Sequence, residues 1–456
     1  MATITYRLAE WAAGLRYEDL TPDAVDAAKR FLYDSIGCAL GGYRQEDCEL
    51  LLHHLQDMGG NPHCTCIGTG YRTSAVNASL FNALAIRAMD YNDIYWKADP
   101  CHPSDILSGP LAICEWKRLS GKELIVATVI AYEMEMRLCE FGQPGIRERG
   151  WHHATLTAFA APIAVGRALG LSATQIQHAV GISASHSATL GAVTAGKLTM
   201  MKNTVDPMAT QAGVTAALLA EKGYTGPEHV LDGKEGLMHC LGPDWKTELL
   251  TESLGRDYRI PKCGMKAFPI EALSHSPVTA LLRLVNAHDI RPDQVQEIRV
   301  ETIARAADIL SDPAKYRPAS KETADHSLPY CLAVALADRQ VTPLQFTAQR
   351  IADPALHPLM DTVKAVANEE FEKLFPEIQP SRVTVTLKDG RSFAERVDVP
   401  KGDFRDPMTV EEIRVKFEAL AAGAFGKARC DAIREAVMNL EQCADVSTIM
   451  PLLVAG

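Results

Sequence analysis

The hydrophobic pattern of this chain changes character twice, and that constrains its fold more than any single motif. From the N-terminus to about residue 265, apolar residues recur at helical spacing. In "LTPDAVDAAKRFLYDSIGCALGG", Val25, Ala28, Phe31, Leu32 and Ile36 share one face. Thr21 stands at the N-cap, Pro22 at the first helical position, and Gly41-Gly42 close the segment. "LSATQIQHAVGISAS" opens with a Ser172/Gln175 capping box. "GKELIVATVIAYEMEMRLC" and "DPMATQAGVTAALLAEKGYTG" are rich in alanine and valine, a texture suited to close helix packing. After about residue 265, "QVQEIRVETI" and "SRVTVTLKDGRSFAERVDVP" alternate apolar and polar residues, with a hairpin turn at Lys388-Asp389-Gly390. Helical segments such as "SLPYCLAVALADRQ" lie between them. Past Pro400 the helical pattern returns with the Thr409/Glu412 capping box. The fold expected is mainly α: a large helical domain from residues 1–265 and 401–456, with a smaller α+β domain inserted at 266–400.

A chain of 456 residues exceeds the size at which one core stops growing, which agrees with two domains. Net charge is −11 and no Lys/Arg run occurs, so nucleic acid and anionic membrane are poor partners. An anionic ligand would need a local basic pocket working against that field. The N-terminus carries Arg7 and Glu10 and lacks the apolar core of a signal peptide; the longest apolar stretch, "LTAFAAPIAVGRALGL", is broken by Arg167. A cytosolic protein is expected. The 12 cysteines are scattered, with Cys64 and Cys66 the nearest pair and no C-x-x-C, so buried reduced thiols are expected rather than a zinc ribbon or an iron–sulfur cluster.

The densest chemistry lies in "DYNDIYWKADPCHPSD". Asp90, Asp93 and His102 could be metal ligands, an acid/base set or a solvated loop; no second His or Glu at ligand spacing supports a metal. Asp99 before Pro100 reads as a solvated turn residue, and Ser104 or Asp105 as a helix cap. His102 precedes Pro103 and is therefore extended, a loop histidine among aspartates fit for acid/base work. In "RGWHHATLTAFAAP", His152 and His153 stand at a helix start, where sequence neighbours point in different directions. Either one of the two faces a pocket, or one caps the helix and the other is solvated. "TAGKLTMMKNTVDP" places Lys197 and Lys202 before Pro207, able to grip carboxylates or simply solvated. "KCGMKAFPIEALSHSP" carries Lys262, Lys266 and His275 at the expected domain junction, a favoured place for ligand sites. No dinucleotide, Walker, G-x-S-x-G or H-E-x-x-H motif is present.

The order of "AMDYNDIYWKADPCHPSD", "GWHHATLTAFAAPIAVGRALGLS", "GKLTMMKNTVDPMATQAGVTAALLAEKGYTGP", "MKAFPIEALSHSP", "ETADHSLPYCLAVALAD" and "PKGDFRDPMTVEEIRVKF" resembles the MmgE/PrpD family over nearly the whole chain. That family includes 2-methylcitrate dehydratases, cis-aconitate decarboxylases and an iminodisuccinate epimerase. The resemblance implies a helical domain with an α/β lid, a homodimer, and a lyase that uses neither metal nor other cofactor on a small di- or tricarboxylate. By position it implies His102 as proton donor or acceptor, Asp93 as its orienter, and His152 or His153 as the counterpart. It also implies Lys202 in catalysis, with Lys266 and His275 at the substrate; Asp90 and Lys197, read from the residues alone, are expected to join them there. "HPSD" and "FPIE" resemble the dehydratase branch, and the histidine that decarboxylases carry shortly after the Lys202 position is absent from "NTVDPMA". Dehydration of a citrate-like acid is therefore the expected reaction. Decarboxylation or epimerisation on the same scaffold, and a non-catalytic ligand-binding scaffold, are the alternatives.

Overall fold

Ala24 donates its backbone N–H to Thr21 Oγ1 at 3.3 Å, and with Pro22 in the first turn this starts the helix Pro22–Gly42. The Ser172/Gln175 and Thr409/Glu412 capping boxes open Ala173–Ala184 and Val410–Ala421 in the same way. The computed structural model describes residues 2–195, 198–242 and 244–455. Its chain divides into two units. One comprises Met1–Ala195, Met200–Cys263 and Thr409–Gly456, and Gly264–Met408 forms the body of the other.

The first unit is helical. Ala154–Ala168 is buried along nearly its whole length and packs most extensively on Met201–Glu221. Small residues allow that approach: a Cβ on Gly213 would sit 2.8 Å from the Ala161 Cβ. Ser104–Lys117 is the third member, and a Cβ on Gly109 would meet Val165 at 2.9 Å. Packing at this distance needs the alanine and glycine texture visible in the sequence. The three helices bring the starts of Ala154–Ala168 and Met201–Glu221 beside the loop that precedes Ser104.

The second unit carries a four-stranded sheet ordered Val363–Ala367, Val295–Thr302, Ser381–Leu387, Ser392–Val397. The first pair is parallel and the other two antiparallel. Along Ser381–Leu387, Ser381, Val383, Val385 and Leu387 are buried in strict alternation, facing the helix His275–His288. The turn uses Gly390 at φ +89°, a conformation that suits glycine. The class is thus mainly α with a smaller α+β unit, as the pattern predicts. Among the described residues no disulfide joins any of the 12 cysteines, and most of them are buried. Among the described residues no helix is long and apolar enough to cross a membrane.

Candidate active site

The helix Ala75–Arg87 ends just before a turn in which Asp90 adopts φ +51°, left-handed backbone uncommon for a side chain with a Cβ. The turn reverses the chain into Asp93–Trp96. His102 then lies back against it, with Nδ1 2.6 Å from the Asp93 carbonyl oxygen. A carbonyl only accepts, so Nδ1 carries the proton, and in the neutral ring Nε2 holds the lone pair. Asp93 thus orients His102 through its backbone. Its carboxylate does a different job, accepting from Ser104 N–H at 2.9 Å and Ser104 Oγ–H at 2.6 Å at the start of the next helix. Burial pushes the Asp93 pKa up to about 6, against the opposing Ser104 hydrogen bonds.

Two further histidines stand beside His102. The His102 and His153 rings are 5.6 Å apart between centroids, and His152 and His153 are 3.9 Å apart. Both of the latter are buried, so neither is the solvated residue that one reading of the sequence allowed. His152 Nδ1 accepts the Ala154 N–H at 3.2 Å, which leaves the proton of its neutral ring on Nε2. Burial, then the neighbouring His153, hold the His152 pKa well below its ordinary value, so that ring is neutral at pH 7. His102 and His152 therefore present complementary tautomers, one with an Nε2 lone pair and one with an Nε2–H.

His153 Nε2 lies 3.4 Å from Asp206 Oδ1. Burial alone would raise the Asp206 pKa, but His153, then His152 and Arg87, hold it well below the carboxylate range. Thr157 Oγ1 bridges Asp206, at 3.2 Å, and Glu135. Burial raises the Glu135 pKa well above its usual value, against the lowering effect of the Thr157 hydrogen bond. The Thr157 hydroxyl has one proton to donate, so it serves one of these two carboxyl oxygens at a time.

Lys202 completes the cluster. Its Nζ is buried beside Asp90 Oδ2, at 3.4 Å, and among the described residues it has no hydrogen-bond partner. Buried ammonium groups ordinarily satisfy their donors, so this geometry is suited to an arriving anion. Arg87 pairs with Asp105 at 3.6 Å. Burial raises the Asp105 pKa well above its ordinary value, against the lowering effect of Arg87. Arg87 and Lys202 thus stand among Asp90, Asp105 and Asp206, two cationic side chains set inside an acidic protein.

Two readings need correction. Asp99 is fully buried, and its carboxylate accepts the N–H groups of Ile146 and Arg147 at 2.8 and 2.9 Å; it is no solvated turn residue. Asp105 does not cap Ser104–Lys117, because Asp93 takes that role and leaves Asp105 to Arg87. Lys266 and His275 belong to the second unit, both buried, with His275 Nε2–H donating to the Ile270 carbonyl at 3.3 Å. Lys262 is half-exposed beside Asp257 at 2.8 Å. Lys197 lies outside the described residues. Asp206, Thr157, Glu135 and Arg87 were not singled out from sequence. For Asp206 a signal existed: it follows Lys202 by four residues, so one helix face presents both. His152, His153 and Asp206 also offer one ligand atom each within 4.8 Å of one another, a cluster that could grip a divalent ion.

Residues 6–250 match the MmgE/PrpD N-terminal domain and residues 268–442 the MmgE/PrpD C-terminal domain. This chain belongs to the MmgE/PrpD family. Among its relatives is the cis-aconitate decarboxylase-like protein oryM of Aspergillus oryzae, 28% identical across 99% of this chain and 97% of that protein. Cis-aconitate decarboxylase of Mus musculus is 26% identical across 99% and 94%, and 2-methylcitrate dehydratase of Cupriavidus necator 26% across 92% and 93%. Membership of the MmgE/PrpD family supports a lyase.

Proposed function

We propose that this protein is a hydro-lyase of the 2-methylcitrate dehydratase kind, removing water from a citrate-like tricarboxylate without a cofactor. Dehydration needs a base for the proton beside a carboxylate and an acid for the departing hydroxide. His102 Nε2 has the lone pair to take the carbon-bound proton. The neutral His152 can hydrogen-bond the leaving oxygen through Nε2–H, and an imidazolium at His153, beside Asp206, gives that oxygen its proton and returns to the neutral ring. The C–H electron pair becomes the new carbon–carbon double bond, and hydroxide leaves as water. Lys202 holds the carboxylate on which charge builds as the proton departs. The observation that carries this reading is the buried Lys202 ammonium with donors to spare beside histidines in complementary tautomers. Lys266 and His275 enter through the family resemblance, as do the homodimer and the cytosolic location.

A second reading, decarboxylation of cis-aconitate, is favoured by similarity to decarboxylases that extends over 99% of the chain. It needs a proton donor to a carbanion but no base, so it leaves the His102 lone pair without a task. Incubation with 2-methylcitrate, citrate and cis-aconitate, following alkene absorbance and CO2 release, separates the two. Alkene without CO2 supports dehydration, and CO2 from cis-aconitate supports the second reading.

A further inference from the structure

Four successive residues, Asp90 to Asp93, connect the candidate groups, and each is tied by a different contact. Asp90 faces Lys202 at 3.4 Å. Asn92 Nδ2 donates to Ser104 Oγ at 2.9 Å, and the Asp93 carbonyl receives His102. Tyr91 is the remaining one, and its tie comes from far along the chain. Lys416, on the C-terminal helix Val410–Ala421, donates from Nζ to the Tyr91 carbonyl at 2.6 Å and lies 4.1 Å from the Tyr91 ring centroid. Asp34 Oδ1 stands 2.8 Å from the same ammonium, and both side chains are buried.

The helix that delivers Lys416 is itself closely seated. Phe417 stacks on Tyr33 at 4.2 Å, and a Cβ on Gly37 would fall 2.8 Å from the Phe417 ring. A Cβ on Gly41 would meet Leu420 at 2.8 Å. The two glycines, one turn apart on Pro22–Gly42, open the groove in which this face of the C-terminal helix rests. The position of Nζ is therefore set by packing on both sides.

We propose that Lys416 is a positioning residue of the active centre: by clamping the Tyr91 carbonyl from the C-terminal helix, it holds the Asp90–Asp93 turn, and through the Asp93 carbonyl His102, in register for the reaction. This rests on the reading of those groups as the reacting ones. A buried ion pair with no such role would be replaceable by neutral side chains without consequence for the turn. The clamp would not.

Lys416→Met alone would leave a buried Asp34 charge and could unfold the chain, so the test uses Lys416→Met/Asp34→Asn in the full-length protein. Hydrogen–deuterium exchange of the peptide spanning 88–104 should accelerate about tenfold or more, while Ala154–Ala168 keeps its protection. The kcat should fall at least about tenfold with KM within about threefold, because orientation is lost rather than binding. Wild-type exchange rates in 88–104, or faster exchange with wild-type kcat, would overturn the proposal. Turnover by the wild-type protein tests the reaction reading separately, and the exchange measurement judges the clamp whichever substrate proves correct.

Discussion

Removing the Lys202 ammonium gives a defined loss. The group is buried, faces Asp90 Oδ2 at 3.4 Å and has no hydrogen-bond partner among the described residues. At that distance and an effective dielectric of about 20, two unit charges attract by about 5 kcal/mol. A substrate carboxylate meeting Lys202 gains an attraction of that order and loses part of it to desolvation, for a net of about 3 kcal/mol. Lys202→Met should therefore weaken binding of tricarballylate, a tricarboxylate that cannot lose water, by about 150-fold at pH 7. Lys202→Met/Asp90→Asn removes the opposing charge as well and guards against misfolding. Its affinity should remain far below that of the wild type, because the donor is missing in both variants. The assay is calorimetric titration of each folded variant, with circular dichroism melts as the control. Wild-type affinity in a folded Lys202→Met protein would refute the reasoning and return Lys202 to a structural pairing with Asp90.

Asp206→Asn keeps an acceptor for Thr157 but removes the carboxylate from beside His153; kcat should fall about a hundredfold with little change in KM, and an unchanged kcat would take the His153–Asp206 pair out of the chemistry. Asp93 has a folded pKa of about 6 against an ordinary 3.8, so its stabilising contribution is complete below about pH 4 and is lost as pH rises through 6, about 3 kcal/mol in all. Asp93→Asn cannot ionise and should gain stability relative to wild type between pH 4 and pH 8 in urea titrations; a pH-independent difference would contradict this. Activity should survive exhaustive EDTA treatment, since His152 Nδ1 already accepts the Ala154 N–H and His153 already faces Asp206; loss of activity restored by adding a divalent ion would make the His152, His153 and Asp206 cluster a metal site.

Local signals were the most legible part of the chain. Thr21, Ser172 and Thr409 start helices because a cap bonds residues three apart, and the strand alternation of 381–387 follows from the two faces of one sheet. His102 and Lys202 stand out in sequence as chemistry without an obvious structural task. Asp99 and Asp105 were misread because their partners, the N–H groups of Ile146 and Arg147 and the guanidinium of Arg87, lie at other points of the chain. An aspartate before proline looks solvated until the fold brings those donors to it. Asp206 was missed for a related reason: its spacing from Lys202 was visible, but its meaning depended on His153 arriving from another helix start. The Lys416–Asp34 pair joins residues separated by nearly the whole chain, and nothing local marks either as buried.

The account stands or falls on whether His102 drives dehydration. A proton NMR time course with 2-methylcitrate, using wild type and His102→Gln at equal concentration, tests it directly. The wild type should convert the substrate to an alkene with loss of water and no CO2, and the folded variant should do so at least about a hundredfold more slowly. No alkene from the wild type, or equal rates from the two proteins, would contradict it.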